Sequence, residues 1–183
     1  MRTPPADGEY VLGGVDWSRW SVILLKPDCV QRGLVDVILE RVGRDVSVVG
    51  QMNVTVADWQ IFVHYWDLLV NADWFTDREV VSCLRDSYVG QQVTVALAHG
   101  SEGADTPTVV RSLLGHFDPS KATPGTLRAD YGVDSLELAS AQGRLVDNLI
   151  HSSDDSVASC RDFGIWYGAN RWNLIAPTEV GSA

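Results

Sequence analysis

An apolar run, Asn148-Leu149-Ile150-His151, ends in a histidine and runs straight into Ser152, Ser153, Asp154 and Asp155. Side-chain oxygens of these types accept from the free amides of a helix's first turn. The pattern predicts a short buried strand, Leu149 to His151, and a helix from Ser156 to Phe163. His151 then stands where a strand stops and a helix starts, a place that favours anions. With a reference pKa of about 6.5, much of an imidazole is neutral at pH 7 and can attack phosphorus. Other polar residues suit the same chemistry. Lys26 ends a strand, and His64 and Tyr65 share a helix. Arg111 lies on a later helix, Arg128 in Thr126-Leu127-Arg128, Asn148 before the histidine and Asp162 on the last helix. Cations clamp phosphates, Tyr or Asn positions the sugar and the reacting group, and a nucleophile receives the phosphoryl. No Walker loop or kinase glycine-rich loop is present, so the chemistry follows neither design.

These residues must be positioned by regular elements. Ser21 to Leu25 reads as a buried strand, which Pro27 cannot continue. Past the turn at Gly33, Val35, Ile38, Leu39 and Val42 recur at helical spacing. Val46 to Val56 alternates as a half-buried strand with one covered and one less covered face. Asp58 is expected to cap a helix carrying Ile61, Phe62, Tyr65, Leu68 and Leu69, and another helix falls between Trp74 and Tyr88. Val93 to Ala98 is a third strand. Thr106-Pro107 opens a helix whose core face is Val110, Leu113 and Leu114. From His116 to Asp147, Pro119, Pro124, Gly125, Gly132 and Gly143 break the pattern into a long irregular connection. Strands and helices in this order predict an α+β fold, a ferredoxin-like sandwich with a four-stranded antiparallel sheet covered by helices.

The totals suit that reading. A chain of 183 residues, 45% hydrophobic and 21% charged, fits one domain with a full core. The net charge of -10 argues against nucleic-acid binding by bulk charge, so an anionic ligand needs a local basic cluster. Cys29, Cys83 and Cys160 have neither the number for a disulfide framework nor metal spacing. No apolar run reaches membrane-span length and Met1 to Asp7 has no signal-peptide core, so a cytoplasmic, membrane-free protein is expected.

Six blocks then come in a telling order: Lys26-Pro-Asp-Cys-Val-Gln-Arg-Gly-Leu34, His64-Tyr-Trp-Asp-Leu68, Arg111-Ser-Leu-Leu-Gly115, Pro124-Gly-Thr-Leu-Arg-Ala-Asp130, Asn148-Leu-Ile-His-Ser-Ser-Asp154 and Gly164-Ile-Trp166. From about residue 20 to 168 the chain resembles the nucleoside diphosphate kinases, with 1–19 as an N-terminal extension and 169–183 as a C-terminal tail. The resemblance implies a ping-pong enzyme in which a nucleoside triphosphate gives its γ-phosphate to His151 and a nucleoside diphosphate takes it away. It further implies that Lys26 contacts phosphate and sugar, that Tyr65 helps place the transferred group, and that Arg111 and Arg128 hold phosphates. Asn148 would bond the ribose and Trp74 stack on the base. Ser153 would support the acid that orients His151, which here is Asp162. Mg²⁺ would bridge the β- and γ-phosphates with Asp154 nearby, acting through water. A homo-oligomer is implied as well.

Departures from the family pattern define an alternative, a nucleotide-binding module with low turnover that serves regulation or assembly. Phe117 falls where the family has a phosphate-binding Thr, so one hydrogen bond, worth about 1–3 kcal/mol if charge-assisted, is expected to be lost. Asp162 is one methylene shorter than the family's Glu, which predicts a looser or water-mediated hold on the imidazole. Segments 76–88 and 133–144 are longer than usual. Taken singly, Asp28, Arg32, His64, His99 and His116 read as structural residues.

Overall fold

The computed structural model describes residues 11, 12, 14–71 and 80–175. The central strand is β3 (Trp20–Leu25), by our numbering after a small hairpin of β1 (Val11–Leu12) and β2 (Val15–Asp16). Antiparallel partners flank it: β5 (Gln92–His99) on one side and β6 (Ile150–Ser152) on the other, with β4 (Ser47–Thr55) beyond β5. The order β4-β5-β3-β6 is that of the ferredoxin-like sandwich predicted from sequence.

Alternation along β3 and β5 divides the core. Val22 and Leu24, with Val93, Val95 and Leu97, face one way. Against them pack Ile61 of α3 (Asp58–His64), Leu84 of α5 (Val80–Tyr88), and Phe163 and Trp166 of α9 (Ser156–Trp166). Ile23, Leu25, Ala96 and Ala98 face the other way, onto Ile38, Leu39 and Val42 of α2 (Val35–Val42) and Val110 and Leu114 of α6 (Thr106–Leu114). Both sheet faces are therefore dry, and the central strands read as continuous apolar runs. The outer strand β4 alternates exposed and half-buried residues, matching its sequence pattern. Trp17 lies fully buried against Phe163, ring centres 5.6 Å apart, so the segment before β3 belongs to the core.

Several expectations need correction. Pro27 opens a short helix, α1 (Pro27–Gln31), where only a turn was expected, because its missing N–H costs nothing in a first helical turn. Asp58 is the first helical residue of α3 and does not cap it. The Ala57 amide donates instead to the Gln60 side chain at 2.9 Å, and Asp58 pairs with Arg85 at 3.1 Å. The stretch from 116 to 147 is not irregular throughout: it holds a 3-10 turn (Pro119–Lys121), α7 (Leu127–Tyr131) and α8 (Leu136–Ala141). Glycine and proline punctuate these elements without preventing them. The fourth strand starts at Ile150 and runs through His151 to Ser152, one residue later than expected. Leu149 adopts φ 70°, a conformation that breaks strand geometry, so pairing begins only after it.

Candidate active site

The left-handed turn at Leu149 aims the histidine that follows. The Leu149 amide donates to Asp28 Oδ2 at 2.9 Å, and the Leu149 carbonyl accepts from the Lys26 amide at 2.8 Å. His151 is then the middle residue of β6, paired with Leu24 of the central strand. It does not end the strand, and the cap of α9 is Asp155, whose carboxylate accepts from the Ala158 amide at 2.8 Å. The half-buried imidazole opens on a cleft of about 530 Å³, which Lys26, Tyr65, Arg111, Phe117, Arg128 and Asn148 also line. All but one of the residues proposed for nucleotide binding thus converge on one space; Trp74 lies outside the described residues.

Behind His151 sits a buried polar set. Asp162 is fully buried on α9; its Oδ2 accepts from the Ser153 hydroxyl at 2.9 Å, and Oδ1 lies 3.2 Å from Nδ1 of His64 and from Nε of Arg161. The Ser153 hydroxyl also accepts from the Val22 amide at 3.2 Å, which ties the acid to the central strand. Asp162 was expected to orient His151 through a looser or water-mediated hold, with Ser153 supporting the acid. In the structure its hydrogen bonds go to Ser153, His64 and Arg161, the reach of an acid one methylene short. His64 was read as packing, and it is buried; it also meets His151 edge-on, ring centres 4.7 Å apart. Its Nδ1 is 3.3 Å from the Trp166 indole nitrogen as well. An indole only donates and a carboxylate only accepts, so Nδ1 serves one at a time, and the charge of Asp162 favours N–H toward the carboxylate.

The electrostatics keep His151 neutral. Burial first, and the His64 ring second, hold the His151 pKa well below its usual value. Burial works to raise Asp162, but the His64 hydrogen bond and the charges around it bring its pKa below the ordinary carboxylate value. Tyr65, whose ring centre is 5.4 Å from that of His151, is pushed up to about 12 by burial and stays protonated.

The cations divide by how tightly they are held. Lys26 is buried, and its ammonium donates to the Val146 carbonyl and to Asn148 Oδ1, both at 2.9 Å. Burial lowers its pKa. Arg128, also buried, spends donors on three carbonyls, those of Asn148 at 3.3 Å, Gly115 at 2.9 Å and Ile150 at 2.6 Å. It braces the loop and the strand that carry Asn148 and His151, and two of its five N–H groups remain for the cleft. Arg111 is half-exposed and ion-paired with Asp154. Asn148 is bridged at both ends, since its Nδ2 donates to the Phe117 carbonyl at 2.8 Å. One amide hydrogen is left for a ligand. The Phe117 ring is 45% exposed and brings no hydroxyl to the cleft.

Two neighbours escaped sequence reasoning. Arg161 lines the cleft and pairs with Asp67. Its place beside Asp162 was the available signal. Tyr88 lines the cleft from the end of α5, with no motif to mark it. Asp28, inside the Lys26 block, was read as structural, and its carboxylate holds the Leu149 turn.

A ferredoxin-like sheet that presents a neutral histidine to a cleft of lysine and arginines defines a class, the phosphotransferases that work through an imidazole. Comparison with known proteins narrows it. The family model described as nucleoside diphosphate kinase matches residues 20–172, and the chain belongs to that family. A nucleoside diphosphate kinase of Nocardioides sp. is 32% identical over 148 residues, 80% of this chain and 95% of the relative. Among solved structures, a transition-state mimic of the Borrelia burgdorferi nucleoside-diphosphate kinase with vanadate and ADP aligns with TM-score 0.73 and 26% identity, over 82% of this chain and 88% of that one. A halophilic nucleoside diphosphate kinase from Halobacterium salinarum in complex with CDP aligns with TM-score 0.64 and 28% identity, again over 82% and 88%.

Proposed function

We propose that the chain moves the γ-phosphate of a nucleoside triphosphate onto His151 and from there onto a nucleoside diphosphate. The observation that carries this is a neutral imidazole, fixed on a three-residue strand, facing a cleft lined by Lys26, Arg111 and Arg128. An imidazole lone pair attacks the γ-phosphorus, the bond to the β–γ bridging oxygen breaks, and the diphosphate leaves with that electron pair. Transfer out reverses these events on the β-phosphate of the acceptor.

Each side chain has a defined task. Lys26 and the free donors of Arg128 meet phosphate oxygens, where charge-assisted bonds in a partly dry cleft are strong. Arg111, the exposed member, exchanges Asp154 for phosphate. Asn148 offers its remaining amide hydrogen to the ribose. Asp162, through Ser153 and His64, fixes the wall against which His151 rests. Asp154, a carboxylate at the cleft rim beside Arg111, is the hard oxygen donor a phosphate-bound Mg²⁺ needs, acting through water. When bound, such an ion neutralises phosphate charge. The reading extends to a cytoplasmic homo-oligomer, which light scattering at monomer mass would refute.

Incubation with γ-labelled ATP tests the function. Acid-labile, base-stable label that is absent in His151→Ala and moves to added GDP is the expected result. Phe117 favours a second reading, a nucleotide-binding module with little turnover; tight nucleotide binding without label would establish it instead.

A further inference from the structure

Tyr88 has no part in the scheme above, yet it touches Lys26, which does, and Tyr65, which the family resemblance implies helps place the transferred group. It ends α5, is 1% exposed, and places its hydroxyl 2.8 Å from that of Tyr65. The Lys26 ammonium lies over its ring, 5.8 Å from the centre, within the range of a cation–π contact. Lys26 spends two of its three N–H bonds on Val146 and Asn148, and the tyrosine face sits beneath the same ammonium.

Two phenols in contact carry two protons and make one bond between them. Burial pushes both pKa values up, Tyr65 to about 12 and Tyr88 well above its usual value, so both protons are present at neutral pH. The direction of the bond then matters. If Tyr65 donated, the Tyr88 proton would be left in the interior, since among the described residues its hydroxyl has no second hydrogen-bond partner. Stranding a buried donor costs free energy. If Tyr88 donates, its own proton is satisfied and the half-buried Tyr65 keeps its proton for the cleft, beside His151. A hydroxyl that accepts is also a better donor, because bonds in a chain polarise one another.

We propose that Tyr88 is a positioning residue for phosphoryl transfer: its hydroxyl donates to Tyr65, so that the Tyr65 proton points at the transferring group, and its ring seats the Lys26 ammonium. This rests on the function proposed above. Tyr88→Phe keeps the ring and removes the donor, and the rate of His151 labelling falls about three- to tenfold, the worth of one hydrogen bond. The nucleotide KM stays close to wild type. Tyr65→Phe costs more, and the double variant is no slower than Tyr65→Phe alone, because Tyr88 acts only through Tyr65. Tyr88→Leu, which also removes the ring, adds a rise in nucleotide KM through Lys26.

Labelling of Tyr88→Phe at the wild-type rate overturns the proposal, whether or not Tm falls. Losses that multiply in the double variant overturn it too, since Tyr88 would then act independently of Tyr65. A Tyr88→Leu variant with the KM of Tyr88→Phe removes the role of the ring. The two readings separate cleanly: label that survives His151→Ala sinks the function itself, whereas label that needs His151 but ignores Tyr88 sinks only this inference.

Discussion

In the proposed reaction, neutrality of His151 is the property on which phosphoryl capture turns, and at the residue scale burial sets it. Because the folded His151 has its pKa depressed, lowering the pH through the ordinary imidazole range leaves the lone pair free. The rate of His151 labelling is therefore expected to hold as pH drops past about 6.5 and to fall only below it. A rate profile with its acid limb at or above that value contradicts the assignment. Phe117 makes the second prediction. Phe117→Thr restores a hydroxyl at the cleft, and nucleotide KM should fall about fivefold, the value of about 1 kcal/mol; steady-state kinetics showing no gain would count against a phosphate role for that position. The polar residues of the site were legible because their types imply their chemistry. Their partners were not. The one-methylene change from Glu to Asp pointed to a looser hold on the imidazole, and Ser153 to a supporting bond, but nothing in it says that His64 and Arg161 will take the other carboxylate oxygen; only three-dimensional distance decides that.

Elements set the shape of the cleft, and two loop devices hold it. At Gly115 the chain takes φ 79°, and an added Cβ would lie 2.3 Å from the Thr126 hydroxyl. Its carbonyl is one of the three that Arg128 grips. Gly115→Ala should destabilise the protein by about 2–3 kcal/mol in denaturant unfolding, through backbone strain and the clash together. Labelling should fall further than stability explains, because Arg128 loses its anchor. The second device is the pair of Asp134 and Arg144, bonded at 2.6 and 2.9 Å, with the Asp147 amide donating to the same carboxylate at 2.9 Å. It pins the chain around Val146, whose carbonyl holds Lys26. The Arg144 hydrogen bonds bring the Asp134 pKa down to about 2. A depressed carboxylate stabilises the fold above its unfolded pKa and ceases to do so as pH falls through the folded one. Wild-type Tm should thus drop between about pH 4 and pH 2 more than that of Asp134→Asn, as thermal melts would show. Of these elements, the strands and long helices were readable from hydrophobic period. The short helices within 116–147 were not, since tertiary contacts such as the Arg128 fan, not local pattern, keep them folded.

Across the whole molecule, residues far apart in sequence share one core. Trp17 reaches from the segment ahead of β3 into the cluster of α9, and Trp17→Ala should cost about 3–5 kcal/mol in chemical denaturation. A loss under 1 kcal/mol would place that tryptophan outside the cooperative unit. Hydrophobic period does not reveal the burial of Trp17, because a lone aromatic in a glycine-containing stretch has no period of its own.

The carboxylate of Asp28 reaches 121 positions along the chain to fix the bend that presents His151. Reactivity consequently waits on one late segment. Until the stretch around Leu149 has been made, Lys26, Arg111 and Arg128 already exist but the bend that presents His151 does not, so a chain cut short before that point should capture no phosphate.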